Sequence, residues 1–163
     1  MKTKKNGQRA FNSHDYDKYD FPARQALWSY ISGLGDNWTL LSMEEEFCEP
    51  DLKVTCGNMP INFEIEVRRC FDTYKKQLYH SDQDATITIP HRKFLNGTLR
   101  KTDYYIVMNE SFSEAIIIPK RVFRNYTFNL TESDFGGRLK KPEQFMNIPM
   151  SELSYIDNHI KLK

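Results

Sequence analysis

The stretch "PDLKVTCGNMPINFEIEVRRC", residues 50–70, decides how this chain is read. Two runs of alternating apolar residues flank "GNMP", the pattern of antiparallel strands joined by a tight turn. Successive side chains on a strand point to opposite faces. In the second run Phe63, Ile65 and Val67 therefore share one face, while Glu64, Glu66 and Arg68 share the other. A symmetric turn centred between Asn58 and Met59 pairs Cys56 with Ile61, Lys53 with Glu64 and Asp51 with Glu66. Opposed side chains stand about 4.5–5.5 Å apart at Cβ. Two carboxylates held that close repel unless a cation lies between them. A divalent ion is one such cation. A wet face stitched by ion pairs, with Lys53 against Glu64, is the other reading, and the hairpin alone admits both.

Working outward, the 163 residues suit one domain with a real core, and 11 Phe and 9 Tyr argue against disorder in its bulk. A net charge of +1 carries no global basic signature, so a nucleic-acid partner would need local patches. The three cysteines, Cys48, Cys56 and Cys70, form no Cys-x-x-Cys pair, which argues against structural zinc. The four histidines lack metal-ligand spacing. Ser111 and Ser113 have no nucleophile-elbow context, and no cysteine has a supporting base arrangement. The basic N-terminus leads into no apolar h-region, and the longest apolar run falls far short of a membrane span. These features predict no membrane partner, a cytoplasmic location and reduced thiols.

Residues 1–19 read as a polar arm and 20–163 as a single domain. "DFPARQALWSYISGLG" predicts a helix with Asp20 as cap, Pro22 in its first turn and Gly33 and Gly35 as stop. Ala23, Ala26, Leu27, Tyr30 and Ile31 form its apolar stripe, and Trp28 and Trp38 are expected in the core. "WTLLSMEEEF" predicts a first strand ending in an acidic bend. The hairpin supplies two more strands, and "DTYKKQLYH" a short helix or loop. "ATITIP" alternates like a strand. "DYYIVMNES" and "EAIIIP" are near-continuous apolar runs, as in strands buried on both faces. "PKRVFRNY" reads as a helical turn opened by Pro119, "YTFNLTES" as a strand, "DFGGRLKKPEQF" as a loop and "PMSELSYIDNHIKL" as a closing helix capped by Ser151.

"PD" at residues 50–51 followed by "EVR" at 66–68 resembles the signature of the PD-(D/E)xK, or restriction-endonuclease-like, nuclease superfamily. The order of helix, three-strand meander, crossover and further strand is similar to that family's core. "TITIPHRKF", "DYYIVMNESFSEAIIIP" and "KPEQFMNIPMSEL" look like small nuclease-like proteins of phages, and the resemblance spans residues 20–155. It implies an α/β fold with a mixed central sheet flanked by helices, and hydrolysis of DNA phosphodiesters with Mg2+, or Mn2+ in its place. By position, Asp51 and Glu66 would hold the metal, with the carbonyl of Val67 as a further ligand. It leaves room for a homodimer and, for a viral chain, places the protein in the host cytoplasm.

The family's lysine falls on Arg68, which cannot release its proton at any working pH but could clamp a phosphate oxygen. Three resolutions follow: the metal alone activates water, Lys53 or Lys93 fills the lysine's place, or the site is inactive. Glu64 and Glu66 also form a Glu-x-Glu pair, which some members use instead of the lysine form. The helix offers only Arg24 and Gln25 as long polar residues, so an extra carboxylate would come from Glu44, Glu45 or Glu46, which also suit a solvated bend. Arg92, Lys93, Arg100 and Lys101 gather around an Asn-Gly turn as the expected DNA contact; Lys120, Arg121 and Arg124 form a second basic group, and Arg138, Lys140 and Lys141 a third. His91 is a candidate proton donor. A non-catalytic nucleic-acid-binding or assembly protein of the same fold, and an unrelated α+β domain, are the alternatives.

Overall fold

The computed structural model of the chain describes residues 16–46, 48–68, 86–127, 130–133, 141–153 and 159–162. It is a mixed α/β structure. A π-helical turn, Tyr16–Asp20, runs into helix α1, Phe21–Ser32. The strands β1 (Trp38–Ser42), β2 (Leu52–Cys56) and β3 (Met59–Arg68) then form an antiparallel meander. Strand β4 (Thr86–Pro90) and two short helices, α2 (Arg92–Leu95) and α3 (Thr98–Lys101), lead to β5 (Tyr104–Asn109) and β6 (Glu114–Pro119). Helix α4 (Lys120–Arg124), β7 (Leu130–Ser133), β8 (Glu143–Pro149), a 3-10 turn at Met150–Leu153 and β9 (His159–Lys161) follow.

The main sheet has the order β1-β2-β3-β5-β6-β9. Its β3–β5 contact is parallel and its other contacts are antiparallel. A second antiparallel sheet, β4-β8-β7, is separate. The main sheet is covered on both faces, which is why β5 is buried from Tyr105 through Asn109. Helix α1 lays Ala23, Leu27 and Ile31 on one face, against Leu52, Val54, Phe63, Ile106 and Met108. On the other, Tyr105, Val107, Ile116 and Ile118 meet Ile87, Ile89, Met146 and Ile148 of the second sheet. Trp28 and Trp38 sit half-buried at the border of the α1-side core.

The alternation expected for β3 holds, but the register does not. Cys56 pairs with Met59, Val54 with Ile61 and Leu52 with Phe63, so the turn is Gly57–Asn58 and every partner lies two positions from the expected one. Gly57 has φ +59° while Asn58 stays at negative φ, which suits a turn with glycine in its first central position. Pro60 can then enter the strand, because its nitrogen faces away from β2. The amides of even-numbered β3 residues point the other way, as Asn62 N–H does in bonding Asp103. Continued to its end, this register sets Asp51 against Glu64 rather than Glu66.

Three further expectations change. Asp20 makes no side-chain cap, since the π-turn carries helical backbone straight into α1. Where the closing helix is expected, Met150–Leu153 is a 3-10 turn and His159–Lys161 is β9, which pairs with β6, while 154–158 lie outside the described residues. "EQFMNIP", of which the sequence places "EQF" in a loop, is the central strand of the second sheet. Residues 1–15, the "DTYKKQLYH" segment and the 138–141 basic group, Lys141 excepted, lie outside the described residues. Among those described, no helix is long and apolar enough to cross a membrane.

Gly57→Val forces a branched residue into the left-handed region and is expected to lower stability by about 1–2 kcal/mol. Asn58→Ala, at negative φ, is expected to cost much less. Urea unfolding of the two variants checks the turn assignment.

Candidate functional site

A cleft of about 470 Å³ opens where the start of β2, the middle of β3 and helix α2 meet the first turn of α1. Asp20, Arg24, Asp51, Glu64, Glu66 and Lys93 give it its charge. Its organising residue is Asp51. Odd-numbered amides of β3 point towards β2, and the antiparallel ladder ends at Leu52–Phe63. The next β2 residue able to face Ile65 is Pro50, but no ladder pair forms there. The Asp51 carboxylate closes the ladder instead, accepting Ile65 N–H through Oδ2 at 2.8 Å. Its Oδ1 accepts a bond from Arg24 Nη2 at 2.6 Å. Arg24 is 3% exposed and also donates to the carbonyl of Met43 at 2.9 Å.

Glu64 stands beside this pair and is 6% exposed. Its Oε1 bonds the ammonium of Lys93, while its Oε2 is buried without a hydrogen-bond partner. Burial pushes the Glu64 carboxyl up to about 7, against the pull of Lys93 in the other direction. Burial lowers the Lys93 pKa, but the charges of Glu64, Asp51 and Glu66 outweigh it, so the ammonium is held above its ordinary range. Lys93 is placed by a compact corner. The side chain of Asn96 accepts Thr98 N–H at 3.0 Å, Gly97 takes φ +87°, and Thr102 Oγ1 bonds back to Thr98 O at 2.9 Å. The Lys93 Nζ also lies 5.5 Å from the ring centre of Tyr105.

Glu66 is already engaged. Arg68 reaches it through Nε and Nη2, each at 3.2 Å, and the buried Tyr105 hydroxyl donates to it. Burial raises the Glu66 carboxyl, yet Arg68 more than compensates and holds it below its usual range. Desolvation and the Glu66 charge together push the Tyr105 phenol well above its own. Arg68 also donates to the carbonyl of Thr88 on β4. The Arg68–Glu66 pair thus ties the main sheet to the second one, and Arg68 is built into that joint rather than left as a phosphate clamp.

The expected residues divide accordingly. Asp51 and Glu66 both line the cleft, but Glu64 is the carboxylate set across from Asp51. The carbonyl between the two β3 glutamates belongs to Ile65; Ile65 and Val67 both line the cleft, and the Val67 side chain packs on the α1-side core. Lys53 bonds Glu49 at 2.7 Å and lies 3.8 Å from Glu46, so it does not face the carboxylates as expected. Lys93, expected either as a substitute for the family lysine or as a DNA contact, reaches into the cleft. Arg92 pairs with Glu143 at 2.6 Å and Lys101 with Glu49. Arg100 lies 5.4 Å from the Phe94 ring centre and is exposed. Glu45 and Glu46 line the cleft rim. His91 stacks on Phe94 at 5.8 Å, outside the cleft.

Asp20 and Arg24 were not expected here. Burial, reinforced by the negative charge of Asp51, raises the Asp20 carboxyl above its normal range. Arg24 had a signal in the chain: it sits three residues before Leu27 and seven before Ile31, on the apolar stripe itself. Among the described residues, no three His, Cys, Asp or Glu side chains converge into a metal-holding group. The chain matches no protein-family model, and no curated protein matches it.

Removing one member of a buried ion pair strands the other. Arg24→Met is therefore expected to destabilise the fold by about 3 kcal/mol. Adding Asp51→Asn, which keeps an acceptor for Ile65 N–H, is expected to recover a large part of that loss. A double-mutant cycle in urea measures the coupling.

Proposed function

We propose that this chain is a magnesium-dependent nuclease of the PD-(D/E)xK type, hydrolysing DNA phosphodiester bonds in the Glu-x-Glu variant of that site. The observation that carries this reading is the placement of Glu64 beside Asp51 in one cleft, with Glu64 ending in a buried oxygen, Oε2, that has no hydrogen-bond partner. The element order supports it too: α1, the β1–β3 meander, a crossover and the parallel β5 come in the order that the resemblance implies.

The donor set fits magnesium. Magnesium takes hard oxygen ligands and is held by one or two carboxylates, with waters and substrate phosphate completing its shell. Asp51 and Glu64 supply those two carboxylates, and the Ile65 carbonyl lies between the β3 glutamates. Two protein carboxylates are compatible with the absence of a three-residue cluster among the described residues. The ion, when bound, lowers the pKa of water and offsets charge building on the phosphate.

The chain's own groups do the rest. Glu66 is kept ionised by Arg68 and oriented by Tyr105, so it accepts a hydrogen bond from the attacking water and aligns it. Lys93 stays protonated, and its ammonium, which now holds Glu64, would be the group to bind a phosphate oxygen if Glu64 held the ion. Lys93 thereby fills the place of the family lysine from a different element. Arg24 fixes Asp51 and screens the approach of a second negative group.

A second reading has its own support. Both carboxylates already have cationic partners, Arg24 and Lys93, which suits a fold of this type retained for binding DNA without cutting it.

On supercoiled plasmid with magnesium, the active reading predicts nicking that falls more than about a hundredfold in Asp51→Asn and Glu64→Gln. Lys93→Met is expected to lose a similar factor while still binding Mn2+ in a calorimetric titration. Salt-sensitive DNA binding with no cleavage at any metal concentration selects the second reading; neither binding nor cleavage removes both.

A further inference from the structure

Helix α2 divides two recesses. Lys93 points into the cleft described above, while the next residue, Phe94, lines a second groove of about 310 Å³ with Leu99, Arg100, Phe123, Arg124 and Thr127. The floor of this groove is apolar: Leu99 and Phe123 are each 1% exposed. Its rim is cationic. The two basic groups of the sequence, 92–101 and 120–124, come together here, with Lys120 Nζ donating to the carbonyl of Arg100 at 2.5 Å. Arg100 and Arg124 are exposed. Neither they nor Lys120 and Arg121 form an ion pair with a carboxylate among the described residues, in contrast to Arg92, Lys93 and Lys101. Arg100 is held against the Phe94 ring, which aims its guanidinium along the rim.

An occupant must therefore bring an apolar, flat body to the floor and negative charge to the rim. A nucleotide within a single strand has both: a base for the apolar recess and phosphates for the arginines. A duplex, whose bases are stacked away, offers only the phosphates. We propose that this groove is a docking site for a single nucleic-acid strand running past the Lys93 cleft, taking one base beside Phe94 and Phe123 and its flanking phosphates on Arg100 and Arg124. The proposal rests on the nuclease reading for its choice of nucleic acid, and names the form of substrate that reading would take. The cleft then acts where a strand is unpaired, at an end, flap or gap or in the transiently opened regions of supercoiled plasmid, rather than on relaxed duplex.

The test is fluorescence anisotropy with a labelled single-stranded 12-mer in EDTA, so that binding is read without cleavage. The Arg100→Gln/Arg124→Gln double variant is expected to bind at least about tenfold more weakly, with its log affinity against log salt slope smaller by about 1.4. Lys161→Gln, on an exposed position of β9, is expected to bind as wild type. An oligonucleotide carrying abasic sites is expected to lose roughly tenfold in affinity to wild type. Unchanged affinity and slope in the double variant, equal binding of the abasic strand, tighter binding to blunt duplex of the same length, or no binding by the wild type would each overturn the proposal. Plasmid nicking by the same proteins with magnesium reads the nuclease activity separately: a wild type that cuts while the double variant binds normally loses the groove and keeps the nuclease. A wild type that binds the strand through the two arginines but never cuts keeps the groove and loses the activity.

Discussion

A carboxylate that completes a backbone ladder is the constraint on which the rest of this molecule depends. The β2–β3 ladder stops at Leu52–Phe63, so the next amide facing β2, Ile65 N–H, would lack a backbone acceptor in a partly buried place. Asp51 supplies the missing acceptor, and burying its charge calls for a cation, which α1 provides through Arg24. One side chain thereby joins the helix, the meander and the loop carbonyl of Met43. It also pins the rotamer of Asp51 beside Glu64, so the position of the acidic pair follows from the way the sheet is terminated.

A second ionic joint works in parallel. Arg68, Glu66, Tyr105 and the Thr88 carbonyl link the two sheets across their common core. Every partner in this group is polar on an otherwise apolar interface, so the sheets have a fixed registration that Ile and Met packing alone would leave loose. The cleft lies between the two joints. Its acidic groups are oriented from both sides before any ligand arrives, which is the arrangement electrostatic catalysis needs.

Much of this was legible in the chain, and the misses have physical causes. Continuous apolar runs marked β5 and β6, and alternation marked β4 and, with its two faces, β3. The four residues "GNMP" announced a turn but not which two of them form it; only the orientation of the Pro60 nitrogen in the sheet decides that Pro60 belongs to β3. That difference of two positions replaces Glu66 by Glu64 opposite Asp51. Strand β8 was hidden because Glu143, Gln144 and Asn147 interrupt Phe145, Met146 and Ile148, and its burial comes from a distant sheet face. Lys93 meets Glu64 across 29 positions of chain, a tertiary approach that no local pattern encodes.

The lone parallel contact in the main sheet has a kinetic meaning. The β1–β3 meander and the β5–β6 hairpin are each assembled from near neighbours and can form quickly on their own. Bringing β3 alongside β5 requires closure of the whole segment from 69 to 103, with β4, α2 and α3 carried along. Chain entropy opposes that step until the two halves dock. The acidic cleft straddles this seam, with Asp51 and Glu64 from the meander and Lys93 from the crossover, so the site is complete only once the halves have closed on each other.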